Sequence, residues 1–170
     1  MSSIFTSYRK KKQIEKSKHL LNELIQTEYE KMYRITMTYV HDKEEALDVM
    51  QDSFHKALNY FEKGEDIEHF AAWFYRILIR TAIDAWRKQK RYRFETFEEE
   101  HSAGILPSEI STKELYEILE GIDNPEKEIL ILHFFEGFRL KEIAEILELN
   151  ENTVKTKMYR SLNLLRKILQ

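Results

Sequence analysis

Residues 140–165 read LKEIAEILELNENTVKTKMYRSLNLL, and this stretch decides the fold of the C-terminal part of the chain. Two short amphipathic runs meet at a tight polar break, and the second run is basic. Ala144 lies four residues before Glu148 and ten before Val154. At that spacing a small residue lets two helices cross closely, the middle position makes the turn, and an apolar side chain plugs the crossing. The pattern predicts a helix-turn-helix whose second helix is presented to a DNA major groove. Asn150 is placed as the N-cap of that helix, its side-chain oxygen able to accept a free backbone N–H of the first turn. Residues 152–170 hold five cations (Lys155, Lys157, Arg160, Arg166, Lys167) and no Asp or Glu, while the whole chain carries a net charge of −3. The basic character is therefore local. The competing reading is an amphipathic helix that closes a bundle; turn, cap and crossing residue together favour the helix-turn-helix.

Upstream, helical spacing continues. Leu21, Leu24, Ile25, Tyr29, Met32, Tyr33, Thr36, Met37 and Val40 form one set. Leu47, Met50, Phe54, Leu58 and Phe61 form a second, and Phe70, Trp73, Phe74, Ile77, Leu78, Thr81 and Ala85 a third. Three amphipathic helices of this kind can bury one another. Breaks are expected near His41-Asp42, over 62–66, over 121–125 and at Glu136-Gly137. Residues 94–109 include FEEE and HSAGILPSE, carry five acids and no Lys or Arg, and lack periodicity. They read as a flexible acidic linker. Residues 1–19 carry six cations and one acid. The expected organisation is a basic arm over 1–19, a helical domain over 20–93, the acidic linker over 94–109 and a helix-turn-helix domain over 110–170.

Bulk properties narrow the class. The chain has 170 residues, 42% apolar, with four Gly, two Pro and no Cys. The length allows one ordinary domain or two small ones, the composition predicts an all-α fold, which with the organisation above means two small helical domains, and the lack of Cys rules out disulfides and thiolate metal sites. No stretch approaches the roughly 20 apolar residues of a membrane span, and no signal-like run follows the basic N-terminus, so a cytoplasmic location is expected. The histidines (His19, His41, His55, His69, His101, His133) are scattered without HExxH spacing, and there is no phosphate loop or Gly-rich fingerprint. Neither catalysis nor a metal or other cofactor is expected.

A second cluster lies in 70–91. FAAWFYRILIR is followed by Arg87, Lys88, Lys90 and Arg91, and five of the seven residues in 87–93 are positive. Aromatics here could stack on unpaired bases at about 1–3 kcal/mol each, and the basic end could follow a phosphate backbone. Trp73, Phe74 and Ile77 also suit a core, and basic residues suit any helix C-terminus.

The residues taken together resemble the bacterial extracytoplasmic-function sigma factors, promoter-specificity subunits of RNA polymerase. ALDVMQDSFHKAL (46–58) is similar to the family's core-binding segment, A-x-D-x-x-Q-x-x-F-x-x-A. WFYRILIRTAIDAWRK (73–88) is similar to its promoter-melting helix. FFEGFRLKEIAEIL (134–147) and NTVKTKMYRSLNLLRK (152–167) are similar to its fourth region. The resemblance covers about residues 20–169.

The resemblance implies that Asp48, Gln51, Asp52, Phe54 and His55 dock on the clamp coiled coil of the polymerase's largest subunit. It implies that Trp73, Arg76, Arg80, Arg87, Lys88 and Arg91 engage the minus-ten element, with the loop 62–68 accepting a flipped-out base. Flipping costs a few kcal/mol, which base-pocket and phosphate contacts could offset. It implies that Asn152, Thr153, Lys155, Thr156, Lys157 and Arg160 contact the minus-thirty-five element. With Val154, Met158, Leu162 and Leu165 buried, Asn152, Thr156, Tyr159, Arg160 and Asn163 point outward and Lys155 and Lys157 flank them. Arg can pair bidentately with guanine, whereas Lys suits phosphate. It further implies an acidic linker threading the polymerase channel, a restraining anti-sigma factor, a stress or envelope regulon, and a monomer when free of these partners.

Four positions depart from the family pattern. Glu148 stands where Gly is usual, at a cost of about 1–2 kcal/mol if its φ is positive. Arg139 replaces a capping Ser, Asn152 a Gly and Arg80 an Asn. A free-standing helix-turn-helix regulator would instead bind duplex DNA without polymerase, and a helical adaptor would bind protein alone.

Overall fold

The computed structural model describes residues 2–95, 118–119 and 121–168. These residues are helical or in turns, without a strand among them, and they fall into two compact units, Met1–Tyr92 and Arg93–Gln170. Among the described residues no helix is long and apolar enough to cross a membrane.

The first unit is three helices. α1 spans Ser2–Val40, α2 Lys43–Phe61 and α3 Phe70–Glu95. The basic arm expected over 1–19 is not a separate segment but the first half of α1. Lys, Arg, Gln and Glu are good helix formers, and no Gly or Pro interrupts them. The helix bends at Glu28, whose φ of −125° and ψ of 16° leave the helical region. It ends at His41, whose φ of 58° is left-handed, and Asp42 then caps α2 by accepting the Glu45 N–H at 2.9 Å. α2 ends where Gly64 (φ 72°) donates its N–H to Phe61 O at 2.8 Å. The expected breaks at 41–42 and 62–66 are where the helices stop.

The core of this unit joins Met32 and Ile35 of α1, Met50 and Phe61 of α2, and Phe74, Tyr75, Leu78 and Ile79 of α3. Thr36 and Ser53 are buried among them; their hydroxyls donate to Met32 O and Val49 O one turn back, at 2.8 and 2.7 Å. α2 faces the core differently from the expectation. Ala46, Val49, Met50, Ser53, Ala57 and Phe61 are buried, whereas Leu47 and Leu58 are 42% and 38% exposed. Three small residues in the buried stripe let α2 approach its neighbours closely, and they displace the large apolar side chains that helical spacing had placed inside.

The second unit begins with helical Ile118-Leu119 and a turn at 121–125. α4 spans Glu126–Leu130 and passes into a π-helical turn, Ile131–Phe135, then α5 (Leu140–Leu147) and α6 (Glu151–Ile168). The turn at Glu136-Gly137 is closed by the Phe138 N–H on Leu132 O at 2.9 Å, with Gly137 at φ 71°. Leu119, Ile122, Leu130 and Ile131 make one core, with Leu162 and Leu165 of α6 packed on it. Ile143, Ala144, Ile146, Val154 and Met158 are buried as well. Of the expected linker over 94–109, Phe94 and Glu95 are the end of α3; the rest lies outside the described residues.

Candidate nucleic-acid interface

α3 gathers six of the expected residues on one side. At 100° per residue, Trp73, Arg76, Arg80, Arg87, Lys88 and Arg91 fall within about 120° of helix circumference. Arg80, Arg87, Lys88 and Arg91 are exposed, while Trp73 and Arg76 are half-buried. Over residues 73–91, Asp84 is the one acid within this stripe. Trp73 packs its ring against Tyr60, Phe61 and Phe70, with centroids 5.1, 5.7 and 5.6 Å away. It is therefore the outer edge of an aromatic cluster, not a free stacking platform. Phe74 and Tyr75, by contrast, are fully buried. The Tyr75 hydroxyl donates to the Glu28 carboxylate, which ties α3 to the bend in α1.

The loop 62–68 borders that cluster. The Tyr60 hydroxyl donates to Glu65 Oε2 at 2.6 Å, and Lys63 Nζ sits 4.6 Å from the Tyr60 ring centre. Donation to Glu65, then burial and the Glu65 charge, raise the Tyr60 phenol above its ordinary value, against the opposing charge of Arg76. From α1, Gln13 Nε2 donates to Asp66 Oδ1 at 2.8 Å and Lys16 Nζ donates to the same oxygen at 3.2 Å. These two hydrogen bonds, Lys16 first, hold the Asp66 carboxyl below its ordinary value.

On α2, Asp48, Gln51, Asp52 and His55 are exposed. Asp52 lies 3.8 Å from Lys56. Phe54 is half-buried, stacked on Phe74 at 5.7 Å. It therefore anchors α2 to α3 and shows only part of its ring. Leu47 and Leu58 join the outward face instead, giving it two apolar contacts among acids. The small residues Ala46, Ser53 and Ala57, repeating at helical spacing, were the signal that could have revealed this register.

The helix-turn-helix is built as its residues dictate. Glu148 has φ 55° and ψ 40°. The Leu149 N–H reaches Ala144 O at 2.9 Å and the Glu148 N–H reaches Glu145 O at 3.4 Å, the paired bonds of a Schellman end. Asn150 Oδ1 accepts the Asn152 N–H at 2.9 Å, capping α6. Arg139 has no acceptor to offer α5, and only Glu142 closes that end, accepting the Arg139 N–H at 2.7 Å. Ala144 and Val154 are buried at the crossing.

On α6, Asn152, Lys155, Thr156 and Arg160 are exposed and Thr153 is half-buried. Tyr159 is 64% exposed. The Thr156 hydroxyl donates to Asn152 O at 2.9 Å. Lys155 pairs with Glu151 at 2.8 Å. Lys157 departs from the expected face. Its Nζ turns inward to donate to Glu126 Oε1 of α4 at 3.0 Å, both side chains being largely buried. Burial pushes the Glu126 carboxyl up, but the Lys157 hydrogen bond, its own backbone N–H and the charges of Lys157 and Arg160 outweigh it and hold the group below its ordinary value. Lys157 is thus a brace between α4 and α6. Among the described residues no group of three His, Asp or Glu side chains converges as a metal site.

The family described as Sigma-70 region 2 matches residues 24–92, and that described as Sigma-70, region 4 matches 112–165. The chain is similar to RNA polymerase sigma factor SigV of Bacillus subtilis, 42% identical over 158 residues, covering 92% of this chain and 94% of that protein. It is 28% identical to ECF RNA polymerase sigma factor SigX of the same organism, over 85% of this chain and 80% of that one. Two solved structures share the fold. One is the sigma factor RpoE in complex with the anti-sigma factor NepR from Bartonella quintana (TM-score 0.66, 22% identity, 89% of this chain and 97% of that chain). The other is CnrH in complex with the cytosolic domain of CnrY (TM-score 0.70, 18% identity, 95% of each chain).

Proposed function

The chain belongs to the extracytoplasmic-function sigma factors of the sigma-70 family, and from that premise we propose how its surfaces divide the work of transcription initiation. α2 docks on the clamp coiled coil of the polymerase's largest subunit through Leu47, Asp48, Gln51, Asp52, His55 and Leu58. Leu47 and Leu58 provide apolar contact, and the carboxylates set orientation against a basic partner. The α3 stripe follows the phosphates of the minus-ten strand, and the loop 62–68 receives the flipped base. α6 reads the minus-thirty-five element through Asn152, Thr153, Thr156 and Arg160, with Lys155 reaching phosphate. The acidic segment that follows α3 threads the polymerase channel, where its acids mimic nucleic acid.

The observation that carries this reading is the pairing, within the first unit, of an acidic face with exposed Leu on α2 and a basic stripe on α3. One face suits a protein and the other an anionic strand. A free-standing regulator is not favoured, because both sigma regions occur in order in one chain. One structural neighbour is in complex with the anti-sigma factor NepR and the other with the cytosolic domain of CnrY; the first supports a restraining anti-sigma partner here, for a cytoplasmic monomer that is released to serve a stress or envelope regulon.

Run-off transcription with sigma-free core polymerase and genomic fragments of the source bacterium tests the reading. Discrete transcripts that depend on the chain are expected, with common sequences upstream of their start sites. No transcripts from a folded chain, with core shown competent with another sigma factor, would overturn it. Leu47→Asp with Leu58→Asp is expected to weaken core binding by about 2–4 kcal/mol, as for other buried interface anchors, with the helical fold retained.

A further inference from the structure

The N-terminal half of α1 lies before the matched Sigma-70 region 2 residues, which begin at 24. It is docked on the loop 62–68. Gln13 and Lys16 both hold Asp66, and Gly64 presses so close to the stem of Lys10 that an added Cβ would stand 2.4 Å from its Cγ. The two segments enclose an open groove of about 660 Å³, whose lining includes Arg9, Lys10, Lys12, Lys16 and Lys63 against the single acid Asp66. Arg9, Lys12 and Lys16 recur at i, i+3 and i+7 and are exposed, so they line one side of the helix over roughly 10 Å. That is about the axial rise of three nucleotides at ~3.4 Å each.

We propose that this groove binds backbone phosphates of the promoter strand next to the base taken by the loop 62–68, making the N-terminal half of α1 part of the promoter-binding surface. The charge argues for a polyanion: the lining holds five cations to one acid, and with Lys16 paired to Asp66 four cations remain in excess. The position argues for promoter DNA. The cations are fixed to the loop itself, so a strand entering the loop meets them without further travel. The inference rests on the proposed role of that loop.

The test uses the full chain bound to core polymerase and a fork-junction DNA carrying a promoter found by run-off. Arg9→Gln with Lys12→Gln removes two cations and leaves the Gln13 and Lys16 contacts to Asp66 in place. The log–log salt dependence of DNA binding is expected to become shallower by about 1.4–1.8, at 0.7–0.9 per phosphate contact, with core affinity unchanged. Arg9→Glu with Lys12→Glu should weaken binding further at low salt. An unchanged slope in both variants would overturn the proposal. So would a loss confined to core polymerase or to another protein partner, which would make the groove a site for an acidic peptide. Base preference of the wild-type complex at the minus-ten element is measured in parallel. Its absence would count against the loop's role alone, while the slope still decides on the groove.

Discussion

The two units each hold a basic helix, but they treat its cations differently. On α3 the outer cations Arg87, Lys88 and Arg91 are exposed, and over residues 73–91 Asp84 is the one acid interrupting their stripe. On α6 the acids of the fold intervene over residues 152–160. Lys155 is paired with Glu151 and Lys157 with Glu126, and Arg160 stands beside Asn152, Thr153, Thr156 and Tyr159 with its charge felt by Glu126; Arg166 and Lys167 lie further along, in the last turn. A helix of open cations is suited to following phosphates, with affinity that depends steeply on salt. A helix face on which two lysines are held by carboxylates is suited to reading base edges, with less of its affinity electrostatic. Two basic helices are therefore suited to two tasks, and the difference lies in which carboxylates the fold brings close.

The sharpest way to break this contrast is to remove the open cations. Arg87→Gln, Lys88→Gln and Arg91→Gln together are expected to weaken promoter binding by the polymerase complex on the order of ten- to hundredfold at low salt, and to reduce the salt slope by about 2–3. Fluorescence anisotropy across a salt series reads both. Arg160→Ala should behave otherwise. It is expected to cost about 1–3 kcal/mol at one upstream base pair and to relax preference there, with little change in slope. A uniform loss across upstream sequences, with the slope reduced, would move Arg160 to the phosphate class and erase the contrast.

Much of the α6 site could be read locally. Ala144, Glu148, Asn150 and Val154 specify crossing, turn and cap within eleven consecutive residues, and each takes the predicted place. The α2 face could not be read so directly. Helical spacing weighs large apolar residues, and it placed Leu47 and Leu58 inside where Ala46, Ser53 and Ala57 pack instead. The role of Lys157 was invisible for another reason: its partner Glu126 lies 31 residues away, beyond any local pattern. Likewise, residues 1–19 read only as a basic arm, because the docking on Gly64 and Asp66 joins positions about 50 residues apart.

The Lys157 brace has its own test. Glu126→Gln is expected to lower the stability of the second unit by about 1.5–3 kcal/mol at neutral pH, the range for hydrogen bonds to charged groups, while upstream promoter preference stays as in the wild type. Because the folded carboxyl ionises below its ordinary value, its contribution is complete above the unfolded-chain value of about 4.3. It is lost as pH falls through the lower folded value. Thermal melts from pH 7 to pH 3 should show a decline below about pH 4.3 that Glu126→Gln lessens. A variant that kept its stability but lost promoter preference would return Lys157 to the DNA face.

The smallest expected effect concerns the turn itself. Glu148 holds a left-handed conformation at φ 55°, where a side chain costs about 1–2 kcal/mol that glycine does not. Glycine also gives the unfolded chain more freedom, which offsets part of the gain. Both bonds that close α5, from the N–H groups of Glu148 and Leu149, are backbone bonds and survive the change. Glu148→Gly is therefore expected to stabilise the second unit by about 0.5–1 kcal/mol net. For a domain of this size that raises its melting temperature by a few degrees. Because α6 keeps its cap and its crossing, upstream promoter preference should not move. A shift in preference without a rise in melting temperature would mean that the left-handed turn sets the angle of α6 on DNA, and that the second unit stores strain for recognition where the first relies on open charge.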